Sequence, residues 1–231
     1  MLFDLRGRGR RRTVQVIYLT LAILMGGGLV LFGIGGNTNG GLFDALGGGG
    51  GGGSSQSVSD TFNKRLKTLE QRAKTNPQDA AALVNIAKLR FQLAGTGENY
   101  NSTVQAYTDS GKQQLRQASS AWQRYLRTRP KTPDDQTARL MVQAYGQGGL
   151  QQYPQAVDAM QIVIDGAKPT SALYAQLAIL AAAAKQTRKS TLAEQKAVDL
   201  APKAQRNSLK SQIDQAKSQL TAVPQTSTPS G

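Results

Sequence analysis

The chain has 231 residues, no cysteine and no histidine, and a formal charge of +14. Those absences remove disulfides, thiolate metal sites, thiol nucleophiles, the commonest metal ligand and the commonest general base at neutral pH. An enzyme is therefore disfavoured and no cofactor is expected, while the charge points to membranes or anionic partners.

Residues 1–12 form a basic tail carrying Arg6, Arg8, Arg10, Arg11 and Arg12. The tail runs directly into residues 13–35, 23 positions without a charge. At about 1.5 Å rise per residue that is roughly 34 Å, enough to cross a hydrocarbon layer of about 30 Å. A helix buried in a soluble core rarely stays apolar on every face for that length. A cleaved signal would have a shorter apolar core followed by a small-x-small site, but the exit here reads Gly36-Asn37-Thr38-Asn39-Gly40. The run predicts an uncleaved transmembrane helix. In lipid its Gly26–Gly28 triplet is tolerated, because the backbone has no alternative hydrogen-bond partner. Asp44 is the only charge between the span and residue 59. The charge asymmetry therefore predicts a cytoplasmic N-terminus and an extracytoplasmic remainder, a single-pass protein of the cytoplasmic membrane.

Residues 36–58 are mostly Gly, Ser and Asn, with seven consecutive glycines at Gly47–Gly53. They read as a flexible tether with a root-mean-square reach of about 26 Å. The apolar island Leu42-Phe43-Ala45-Leu46 is read as linker.

Residues 59–221 are predicted all-α. Ser57-Val58-Ser59-Asp60 fits a capping box, and Phe62, Leu66, Leu69 and Ala73 recur at helical spacing up to Asn76-Pro77. Further helices are expected over 80–93, 109–129, 134–146, 153–166, 170–186, 189–200 and 203–221. Thr132 is the expected cap of the fourth, with Pro133 in its first turn. No strand is expected, since Val and Ile are scarce and do not alternate. Residues 222–231 are predicted to be a disordered tail. The adjacent acids Asp134 and Asp135 read as a helix start favoured by the dipole rather than as a catalytic pair.

The stop prolines Pro77, Pro130, Pro169 and Pro202 lie 53, 39 and 33 residues apart. The last interval is close to a 34-residue helical repeat, and the first carries an insertion over Gly95–Gly111. Tyr174-x2-Leu177-Ala178-x2-Ala181, followed by Ser190, Ala197 and Pro202, resembles the tetratricopeptide repeat family. So does Ala138-x2-Met141-Val142-x2-Tyr145 with Tyr153-Pro154-Gln155-Ala156-Val157, and so does Leu83-x2-Ile86-Ala87 with Ala118-x3-Trp122. The resemblance implies a short solenoid of antiparallel helix pairs at about 78–129, 134–166 and 170–200, closed by a capping helix at 203–221. It also implies a concave surface lined by the first helix of each pair. Here that lining would be Val84, Lys88 and Phe91, then Gln136, Arg139 and Gln143, then Ala175, Ile179 and Ala182. Of the carboxylate-clamp pattern known in the family, only Asn85 and Lys88 match.

The function implied is a non-enzymatic scaffold, tethered outside the cytoplasmic membrane, that binds a protein or peptide in an envelope, secretion or assembly complex. The competing reading uses charge: after residue 58 there are 23 Lys and Arg against 12 Asp and Glu, a balance of +11. Such a domain could bind an anionic envelope polymer or lipid, separable by steep salt dependence. A third reading is a non-catalytic subunit of a membrane enzyme complex. Nucleic acid is disfavoured, because the basic residues are not interleaved with an aromatic platform.

Overall fold

The computed structural model describes residues 55–221. The predicted basic tail, transmembrane run and C-terminal tail, and the tether up to Ser54, lie outside the described residues. Among those described, no helix is long and apolar enough to cross a membrane.

The described chain is all-α apart from one small hairpin. The first helix, α1 (Ser55–Thr75), starts two residues before the expected cap at Ser57, so the last residues of the predicted tether are helical. It buries Phe62, Leu66 and Ala73, four and seven residues apart, on one face. Pro77 then stops it. Asp79 caps α2 (Ala80–Ala94), accepting from the Ala82 amide at 2.9 Å and pairing with Arg72 at 2.8 Å. The amide hydrogen bond is the main reason the Asp79 carboxyl lies below the usual range; partial burial opposes it and Arg72 assists.

The Gly95–Gly111 insertion corrects the expectation of no strand. A single 3-10 turn at Gly97–Asn99 leads into β1 (Tyr100–Asn101), which pairs antiparallel with β2 (Ala106–Tyr107). Asn101 closes the loop by accepting from the amides of Thr103 and Val104. The rings of Tyr100 and Tyr107 meet edge to face at 5.3 Å. Burial raises the Tyr107 phenol above its ordinary pKa, and Tyr100 adds to the effect. The insertion is tied back to α2 by Asn99, whose amide donates to the Leu93 carbonyl at 2.8 Å.

The remaining helices are α3 (Asp109–Arg127), α4 (Asp135–Tyr145), α5 (Tyr153–Asp165), α6 (Ser171–Ala183), α7 (Thr187–Leu200) and α8 (Arg206–Thr221). A 3-10 turn at Lys203–Gln205 precedes α8. Thr132 is not the cap of α4. Asp134 is, because its carboxylate accepts from the Thr137 amide at 2.6 Å, while Thr132 lies outside the helix and exposed.

Consecutive helices fold back on each other. Arg90 of α2 donates to Gln114 of α3, and Glu194 of α7 pairs with Lys217 of α8. At the α4–α5 pair, Gly166, just past the end of α5, lies so close to Asp135 at the start of α4 that an added Cβ would come within 2.9 Å of the Asp135 Cβ. In α6 and α7, the buried Ser190 hydroxyl donates to the Ala178 carbonyl at 2.7 Å. These antiparallel hairpins meet through small residues. Ala87, Ala118, Ala156, Ala178 and Ala197 are all fully buried, and each lets two backbones approach. The largest fully buried side chains are Trp122, Tyr145, Leu83 and Leu115. Finally, α8 packs on α6 and α7, burying Ile213.

Candidate binding surface

Helices α2 and α4 are brought together at one node. Lys88 reaches from α2 to the Asp134 carboxylate, at 3.4 Å. Asp134 also accepts from the amide and the hydroxyl of Thr137, each at 2.6 Å, and Thr137 is completely buried. The Asp134 amide donates to the Tyr125 hydroxyl at 2.9 Å, which recruits α3, and the Tyr125 ring packs on Trp122 with centroids 5.1 Å apart. Burial alone would raise the Asp134 carboxyl. The two Thr137 donors and the Lys88 charge outweigh it and hold the group below the ordinary carboxylate range.

The nine predicted lining residues do not share one environment. Val84, Lys88 and Phe91 are half-buried along one side of α2. On α4, Gln136 is exposed, whereas Arg139 and Gln143 are half-buried. On α6, Ile179 and Ala182 are half-buried, but Ala175 is buried at 9% exposure and faces the packing rather than an open surface. The reason is that α6 packs against α5, α7 and α8, so only Ala172 on it is exposed.

The two cations are not free. Lys88 is engaged by Asp134, and Arg139 lies 3.8 Å from Asp135 one turn earlier on its own helix. Asn85 turns its amide onto the Ala81 carbonyl at 2.9 Å. The surface is therefore less electropositive than the sequence implies, and an acidic ligand there would compete with two aspartates. Among the described residues, no group of three or more carboxylates is placed to hold a metal ion.

A second feature was not foreseen. A groove of about 640 Å³ runs between α5, α6 and α7, floored by Tyr174, Leu177 and Ala193 and edged by Arg188, Lys189 and Leu192. Leu192 is 58% exposed. The sequence held one clue. Ser190, Ala193 and Ala197 mark the buried stripe of α7, and Leu192 is a large apolar residue out of phase with it.

No protein family matches the chain, and neither a curated protein nor a solved structure does. The fold and surface define an all-α domain of packed helix hairpins.

Proposed function

We propose that this protein is a membrane-tethered scaffold of the tetratricopeptide type, holding a protein or peptide partner outside the cytoplasmic membrane. The apolar run at 13–35 anchors it, the glycine-rich tether spaces it from the bilayer, and a short solenoid of helix pairs presents the partner surface. No catalytic step is assigned to it. The observation that carries the reading is the junction of α2 and α4. First helices of successive hairpins lie side by side there, clamped by Lys88 and Asp134. Side chains from both, Val84 and Phe91 beside Gln136 and Gln143, reach solvent next to that junction. Repeat arrays bind extended segments on surfaces of this kind. With Lys88 and Arg139 already paired, the partner contacts are apolar and amide contacts first, and ionic ones second.

Site-specific photocrosslinking in intact cells tests this. A photoreactive residue replacing Phe91 or Gln143 should give a discrete adduct, and one replacing Gln195 on α7 should not. Adducts of equal yield at all three positions, lost together in high salt, would instead identify diffuse binding to an anionic polymer. No adduct at Phe91 and Gln143 would sink the proposal.

A further inference from the structure

The opposite side of α2 holds a second site. At about 100° per residue, Ile86 and Arg90 point away from Val84, Lys88 and Phe91. There a pocket of about 350 Å³ opens between α1, α2 and α3. Its floor is apolar, formed by the buried side chains of Ala73, Ile86 and Ala121. Its wall is cationic. Arg90 is held by Glu70 at 2.6 Å and by Gln114 at 2.8 Å. Arg124 is half-buried and gives one hydrogen bond, to the Ala73 carbonyl at 3.2 Å. Lys74 is exposed. Among the described residues, neither Arg124 nor Lys74 has a carboxylate within ion-pairing distance.

Both of these cations stand at one edge of the floor. Lys74 directly follows Ala73, while Arg124 bonds the Ala73 carbonyl and follows Ala121 by about one helical turn. The end of α1 explains only part of this charge. It occupies one of the five guanidinium N–H groups of Arg124, and among the described residues Lys74 donates to nothing. Of the four charged side chains in the lining, three are cations, and the one acid, Glu70, is already held by Arg90. The pocket is therefore complementary to an anion joined to an apolar group.

Inorganic phosphate would use the cations and leave the floor bare. A free amino acid would bring an ammonium into a lining that already holds three cations. A second copy of this chain offers Asp199 beside Leu200, which is 40% exposed. After residue 58, however, each copy carries 23 Lys and Arg against 12 Asp and Glu, so copies repel. A segment of another protein has an uncharged backbone and meets both demands. We propose that the α1–α2–α3 pocket docks a peptide segment of a second protein in which an acidic side chain adjoins a large apolar one. The acid lies against Lys74 and Arg124, and the apolar side chain covers Ala73, Ile86 and Ala121. At about 350 Å³ the pocket is near the small end of ligand sites, so it holds such a pair of side chains and not a whole helix. This inference does not rest on the scaffold reading, since it uses the other side of α2.

Blocked, dye-labelled hexapeptides with Asp-Leu or Leu-Asp between glycines test it, titrated into the full chain and read by fluorescence anisotropy. One of the two orders should bind saturably. Replacing its Asp by Asn should weaken binding about tenfold or more, and replacing its Leu by Gly about tenfold. Lys74→Glu should weaken the Asp peptide about fivefold and hardly alter the Asn peptide. Lys210→Glu, at an exposed position of α8, changes net charge equally and should alter neither. Several results would each overturn the proposal: no binding of either order, equal binding of the Asp and Asn or the Leu and Gly peptides, equal effects of the two lysine variants, or displacement by an equal concentration of inorganic phosphate. So would sedimentation showing self-association that Asp199→Asn abolishes, which would make a second copy the occupant.

Discussion

Replacing Asp134 by alanine tests the junction of α2, α3 and α4 most directly. Two donors of Thr137 depend on the one carboxylate. Losing the cap of the α4 amide costs about 0.5–2 kcal/mol. The Thr137 hydroxyl is fully buried, and a buried donor without a partner costs about 1–3 kcal/mol, less if it rotates onto a carbonyl of its own helix. The Lys88 ion pair is partly exposed and adds about 0–1 kcal/mol. Together these span about 1.5–6 kcal/mol, and rotation of the hydroxyl onto its own helix brings the expected loss to roughly 2–4 kcal/mol. For a domain of this size each kcal/mol moves the melting temperature by about 2–4 °C, so a drop of roughly 4–16 °C is expected. Asp134→Asn keeps a capping oxygen and should lose much less. Adding Thr137→Val to Asp134→Ala should recover part of the loss, because the stranded hydroxyl is gone. Thermal unfolding of the full chain by far-ultraviolet circular dichroism reads all three. The reasoning fails if Asp134→Ala melts with the wild type, or if the Asn and Ala variants fall together. pH gives an independent check. The folded carboxyl sits below the ordinary range, so the unfolded chain, with a carboxyl near 3.9, binds the proton more readily. This contribution is complete at neutral pH and is lost as the pH falls below about 4. Asp134→Asn should flatten that part of the stability profile.

Two further outcomes follow from close contacts. Ala178→Trp or Ala156→Trp should destabilise the domain by about 1–3 kcal/mol or more, since both alanines are fully buried where two helices touch; wild-type melting of both would refute the pairing. Gly149→Ala would bring a Cβ within 2.2 Å of the Ala144 carbonyl oxygen, whereas a Cβ at Gly148 meets nothing within 4 Å. Urea midpoints should therefore fall for the first and hold for the second.

Where each helix stops was legible because stops are local chemistry. Pro77, Pro130, Pro169 and Pro202 each sit just beyond a helix, and Gly95 follows Ala94 directly. Helical spacing likewise marked Phe62, Leu66 and Ala73, and the repeat resemblance marked Leu83, Ile86, Trp122 and Met141, all of which are buried. What escaped depended on distances between elements. Two-residue strands are too short to alternate, so Tyr100 and Tyr107 looked like loop. Thr132 and Asp134 are both good caps by type, and only the Tyr125 and Thr137 contacts select Asp134. Lys88 and Arg139 read as free cations because the approach of α2 to α4 that gives Lys88 a partner is invisible in one dimension. Ala175 looked available because nothing local says that α6 is enclosed by α5, α7 and α8.

The polar dress of α8 has a consequence for assembly. Stacked hairpins leave an apolar flank at each growing end, and a flank left bare would recruit the next molecule head to tail into a fibre. Here Ile213 is the sole fully buried residue of α8, turned inward, while Lys210, Ser211, Asp214 and Gln215 face water. The outer side of α8 thus offers an incoming copy hydrated, partly charged surface rather than an apolar one.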